Sequence, residues 1–138
     1  LLEEQKGVKE MGASMRLGSS ACQLLKDSHS FQAYKKESFR ERHRHRYEFN
    51  NRYREAFEKE GVVFAGMNAQ KGLVEIIELK DHPWFVACQF HPEFQSKPDR
   101  AHPLFRQFIK AALTNSAARS EVSTQSQRVL VKSGSPAQ

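Results

Sequence analysis

Pro83-Trp84-Phe85-Val86-Ala87-Cys88-Gln89-Phe90-His91-Pro92-Glu93-Phe94 is the stretch on which the reading of this chain turns. Its apolar, β-branched and aromatic run predicts a buried strand, and Pro92, which has no amide hydrogen to give a ladder, ends it just after His91. His91 and Glu93 then stand two residues apart at the carboxyl end of a strand, where extended backbone sends both side chains to one side. So placed, the Glu93 carboxylate would hold one ring nitrogen of His91 and leave the other facing outward. A histidine fixed in one tautomer can take a proton from a thiol and return it to a departing amine, which is the base and orienting acid of a nucleophilic triad. By itself an H-P-E triplet is more often a plain turn, so the neighbouring sequence has to decide.

The segment before this strand alternates apolar runs with turn residues. Met11 to Gly18 predicts a strand with a turn, and Ala21 to Leu25 a hairpin partner for it. Asp27-Ser28 is a helix start, with a short helix from Ser30 to Lys36. Glu41 to Phe49 reads as extended, and Asn50 or Asn51 caps a helix from Arg52 to Lys59 that Gly61 ends, with Tyr53 and Phe57 facing inward. Val62 to Gly66 is a buried strand, Asn68 to Gly72 a turn, and Leu73 to Leu79 a strand whose Glu75 and Glu78 mark a partly wet face. Asp81-His82-Pro83 turns into the central strand. The two strands so joined are antiparallel, giving a mixed sheet. Pro103 opens a helix from His102 to Leu113, with Leu104, Phe105, Phe108, Ile109 and Ala112 along one side.

From Thr114 onward the last 25 residues hold six serines, no aromatic residue and no hydrophobic period. A segment so poor in apolar surface cannot offset chain entropy, so residues 114–138 are expected to be a disordered tail. No apolar run is long enough to cross a bilayer, and the first residues lack a basic-then-apolar leader. A cytoplasmic protein without a membrane partner is the expectation.

The chain has 138 residues and a net charge of +6. Eight basic and three acidic residues lie between Lys35 and Arg54, so nearly all the excess is local. Within it Arg42, Arg44 and Arg46 alternate with His43 and His45, which in a strand puts arginines on one side and histidines on the other. Nucleic-acid readers interleave aromatics or carry a reading helix, and this segment has neither pattern. The two histidines lack a third ligand placed by sequence, so no metal site is assigned.

Four pieces now stand together in order: Met11-Gly12-Ala13-Ser14-Met15-Arg16-Leu17-Gly18, Glu41-Arg42-His43-Arg44-His45-Arg46-Tyr47-Glu48, Leu73-Val74-Glu75-Ile76-Ile77-Glu78, and the His82 to Phe94 run. Together they resemble the C-terminal part of the glutaminase domain of the CTP synthases. The Q-F-H-P-E core is shared by class I glutamine amidotransferases at large, whereas the first two pieces are narrower. The resemblance runs from about Met11 to Leu113. It implies an α/β fold over residues 1–113, a piece of the class I glutamine amidotransferase fold with an open mixed sheet flanked by helices.

The same resemblance implies the chemistry. A cysteine, a histidine and a glutamate hydrolyse L-glutamine, and the ammonia passes to an N-terminal synthase domain that uses ATP and Mg2+ to aminate UTP to CTP. His91 and Glu93 match the histidine and glutamate, and Arg46 matches the position that binds glutamine, where a planar fork suits an α-carboxylate. Tyr47 is expected to help hold Arg46. Arg16 belongs to the signature, with a structural role near the edge of the site. The family's cysteine sits on a G-x-C-x-G elbow, and this sequence has none; Cys22 and Cys88 read as core residues. The expectation is therefore the His-Glu half of the triad, inactive alone and free of cofactor, whose parent supplies the nucleophile and synthase domain upstream and assembles as a homo-oligomer. An inactive amidotransferase-like binding or assembly module, and a basic nucleic-acid module, stay open beside it.

Overall fold

The computed structural model, which describes residues 15–133 and side chains as far as residue 120, is built on one sheet with strand order β2-β1-β3-β4-β5. The strands are β1 Arg16–Leu24, β2 Ser38–His45, β3 Val62–Asn68, β4 Leu73–Leu79 and β5 Val86–Cys88, with helices α1 His29–Tyr34, α2 Arg54–Lys59 and α3 Pro103–Ser133. Every pairing between described strands is antiparallel, where a mixed sheet was expected. Short turns link β3 to β4 and β4 to β5, and such turns can only reverse the chain.

β1 is one strand where a hairpin was predicted. It pairs with β2 from Arg16 opposite His45 to Gln23 opposite Ser38, and its far end reaches β3 at Leu24 opposite Gly66. Gly18 does adopt φ +88°, yet it sits opposite His43 inside the ladder, so it does not reverse the chain. Met11 to Ser14 lie outside the described residues. Ser28 starts α1 as its N-cap, its hydroxyl accepting from the Phe31 amide at 3.0 Å, and Lys35 closes the helix in the left-handed region. Asn50 caps a 3-10 turn, Asn51–Tyr53, that leads into α2. Tyr53 and Phe57 are exposed rather than inward, and α2 buries none of its residues; Phe57 meets Phe49 edge-on.

The core is formed by Cys22, Leu24, Ala33, Ala65, Ile76, Phe90 and Leu104. It joins the middle strands to α1 and the first turn of α3. Glu75 and Glu78, expected on a wet face of β4, are both buried. Three residues apart in a strand, they point to opposite faces, so no single wet face could serve both. Each is answered by its own donors: Glu75 by Arg16, and Glu78 by the α1 start, where the His29 and Ser30 amides donate at 2.8 and 2.7 Å.

β5 is a three-residue strand at the sheet margin, not the central strand predicted. Pairing continues for one residue beyond it, the Gln89 amide donating to the Glu75 carbonyl at 2.9 Å. α3 also departs from expectation. Leu104 is buried, but Phe105, Phe108 and Ile109 are exposed, and the helix runs on to Ser133 where disorder was expected from Thr114. No proline or glycine interrupts residues 104–133, and Ala111, Ala112, Ala117 and Ala118 favour helix locally without any packed face.

Candidate active site

β2 carries the alternation the sequence announces. Glu41 and His43 point inward and are buried, while Arg40, Arg42 and Arg44 point to solvent. The chain returns to this strand after β5: Phe90 anchors in the core, and the His91 amide donates to the Arg42 carbonyl at 2.9 Å. His91 is thereby fixed against β2 from outside the ladder.

Past His91 the backbone does not stay extended. Pro92, with φ preset for a helical turn, opens the 3-10 turn Pro92–Gln95. The same-side rule for extended chain therefore fails, and no hydrogen bond or ion pair joins His91 to the exposed Glu93. The half-buried His91 ring lies instead between two near-parallel rings, His45 at 6.4 Å and Phe94 at 5.6 Å between centroids. Its Nδ1 is enclosed and has no hydrogen-bond partner among the described residues.

Behind His45 runs a buried charged network that sequence reasoning missed except for Arg16. His45 Nε2 lies 2.9 Å from a Glu48 oxygen, and the same carboxylate accepts from Arg16 at 3.3 Å. Arg16 also donates to Ser20 at 2.8 Å and to Glu75 at 2.5 Å. His43 faces the second Glu75 oxygen at 3.6 Å, too long for a hydrogen bond. Burial, and then the Arg16 charge, pull the His43 pKa down to about 3, so this ring is neutral at neutral pH. Burial lifts the Glu75 pKa, against the opposing pull of Arg16. The available signal was the acid itself: a carboxylate inside an apolar strand demands a buried cation, and Arg16 sits in an equally apolar segment.

Arg46 follows His45 at the end of β2, half-buried and engaged by contacts, beside an outward-pointing Tyr47. The cysteines sit elsewhere. Cys22 is in the core and Cys88 donates weakly to the Phe90 carbonyl at 3.5 Å; burial first, with nearby glutamates adding, pushes each thiol up to about 12. Neither is a thiolate at neutral pH. Among the described residues no group of three or more His, Cys, Asp or Glu side chains is arranged to hold a metal, and no helix is long and apolar enough to cross a membrane.

The family model for glutamine amidotransferase class-I matches residues 2–111. The chain is 60% identical over 115 residues to the CTP synthase of Trichlorobacter lovleyi, covering 83% of this chain and 22% of that protein. It is 58% identical over 113 residues to the CTP synthase of Bacillus velezensis, covering 82% and 21% respectively. It thus spans about a fifth of the length of these curated relatives. Among solved structures, the glutaminase domain of Trypanosoma brucei CTPS with bound acivicin superposes with a TM-score of 0.74 at 33% identity, over 83% of this chain and 45% of that one.

Proposed function

Because the chain belongs to the class I glutamine amidotransferases, we propose that it forms part of the glutaminase domain of a CTP synthase and contributes the histidine and glutamate of its triad. The observation that carries this reading is the seat of His91: backbone-anchored to β2, held between His45 and Phe94, with an unsatisfied Nδ1. Glu93 stands two residues on in the 3-10 turn, exposed and without a side-chain hydrogen bond or ion pair among the described residues. In the assembled site it closes on Nδ1 and fixes the tautomer, since catalytic hydrogen bonds tighten when substrate is bound. The nucleophile comes from sequence outside this chain, a role for which both thiols here are too weakly acidic.

The roles follow from that arrangement. The external thiolate attacks the side-chain amide carbon of glutamine, and His91 gives its proton to the departing ammonia. His91 then takes a proton from water as it adds to the thioester, and glutamate leaves with the thiol restored. Arg46 holds the α-carboxylate of glutamine in its fork. The ammonia is used by the synthase portion of the whole protein, which draws on ATP and Mg2+ to convert UTP to CTP.

The test uses the full-length protein. His91→Ala should remove glutamine-dependent CTP formation, by about 10²-fold or more, and leave ammonia-dependent formation intact. If both activities fell together, His91 would not be the base.

A further inference from the structure

A cavity of about 530 Å³ opens between β2, the turn after His91 and the start of α3. Its floor is internally satisfied. The buried Glu41 carboxylate pairs with His102 Nε2 at 2.8 Å and accepts from the Tyr34 hydroxyl at 2.9 Å and the Gln95 amide at 2.5 Å. His102 Nδ1 accepts from the Leu104 amide at 3.3 Å, so its proton is on Nε2 and its hydrogen-bonding capacity is also used.

The walls are different. Lys36, Arg40, Arg100 and Arg106 all line the cavity. Arg40 is steadied by Ser19, whose hydroxyl and carbonyl accept from it at 3.2 and 2.9 Å. Lys36, Arg100 and Arg106 make no side-chain hydrogen bond or ion pair among the described residues. Other surface cations do: Lys26 pairs with Glu37, Arg54 with Glu58 and Lys59 with Glu55. Four positive groups therefore line a cavity whose one carboxylate, Glu41, already has both oxygens taken.

We infer that this cavity is a binding site for a small anion carrying two or more linked phosphoryl groups. The volume falls in the range of small-ligand sites, about 300–1,000 Å³, and exceeds what one phosphate would fill. Guanidinium forks suit phosphoryl oxygens two at a time, and Lys36 adds a point charge. Pro103, at the amino end of α3, lines the same cavity, so the positive end of the helix adds to the local field. The site is separate from His91 and stands independently of the glutaminase reading.

Inorganic pyrophosphate and triphosphate serve as probes, titrated into the chain at fixed ionic strength and followed by calorimetry and amide chemical shifts. Expected is saturable binding at millimolar concentration or below, with shifts centred on Ser38, Gln95 and Arg106. Arg100→Ala and Arg106→Ala should each weaken it about tenfold, the loss of one charge-assisted pair, whereas Arg52→Ala, on the opposite side of the sequence's basic segment, should not. Both arginines are exposed, and circular dichroism checks that the variants fold. Absence of saturable binding, affinity unchanged in the two arginine variants, or equally tight binding of citrate would each overturn the assignment.

Discussion

Arg16 and Glu75 meet inside the sheet, guanidinium to carboxylate at 2.5 Å, with side-chain exposures of 6% and 0%. The same arginine neutralises Glu48, so one cation serves two acids. Replacing it by methionine strands both carboxylates in the interior, and breaking a buried pair costs about 3–5 kcal/mol. Urea unfolding of Arg16→Met should show a loss of that size, and Arg16→Lys should recover little, because a single ammonium cannot span Ser20, Glu75 and Glu48 together. A loss as small as a surface pair gives would mean that the network is dispensable.

His43 makes stability depend on acid. Folded, it resists protonation down to about pH 3, while the unfolded chain takes the proton near 6.5. Between those values the unfolded state binds more protons, so stability is intact above pH 6.5 and falls as pH drops toward 3. The slope is at most about 1.4 kcal/mol per pH unit. The other groups facing the ring, Arg16, Glu75, His45 and His91, are present in both proteins. Comparing unfolding of His43→Gln with the parent across this window should therefore show a slope reduced by one proton; equal slopes would contradict the neutral buried ring.

Gly66 is required by crowding rather than by its backbone angle. A methyl there would stand 2.8 Å from Ile76 Cγ1 and 2.9 Å from Cys22 Sγ. Both neighbours are core side chains that cannot swing away, so Gly66→Ala should cost about 1–3 kcal/mol, read as a lower thermal midpoint. An unchanged midpoint would show that β3 and β4 can spread.

Cys22 and Cys88, each with its thiol pushed up to about 12, should resist alkylation by iodoacetamide at neutral pH in the folded chain. Both should label rapidly in denaturant, as mass spectrometry would report. Rapid labelling of the half-buried Cys88 without denaturant would contradict its raised thiol pKa.

Arg46→Ala in the full-length protein should raise the KM for glutamine by about tenfold or more, the worth of a charge-assisted fork, and leave ammonia-dependent turnover unchanged. Tyr47→Phe, at an exposed ring, should shift the same KM far less. Equal effects on both substrates would remove Arg46 from glutamine binding.

The elements legible in the sequence were those with local causes. Ser28, Asn50 and Gly61 bound their helices, and the Arg/His alternation of β2 gave its two faces correctly. What escaped depended on distant partners. Gly18 looked like a turn because nothing local says that β2 will pair along the whole of β1. Pro92 was read as a strand stop, yet it also starts a turn, and this rotates Glu93 away from His91. The buried Glu48 and Glu75 were invisible because their cation lies 32 and 59 residues away. The apolar row on α3 was expected to be covered, and only Leu104 is.

The pairing of Glu41 with His102 across 61 residues has a consequence for the order in which the molecule matures. Until the segment bearing His102 emerges and docks, the buried Glu41 of the second strand has only the neutral Tyr34 and Gln95 donors and lacks its imidazole partner. A truncated nascent chain ending at Ala101, before His102 and α3, should therefore stay looser at this strand even though all five strands already exist. On this expectation, completion of the hydrogen-bonded floor, rather than of the sheet, would be the step that fixes this strand.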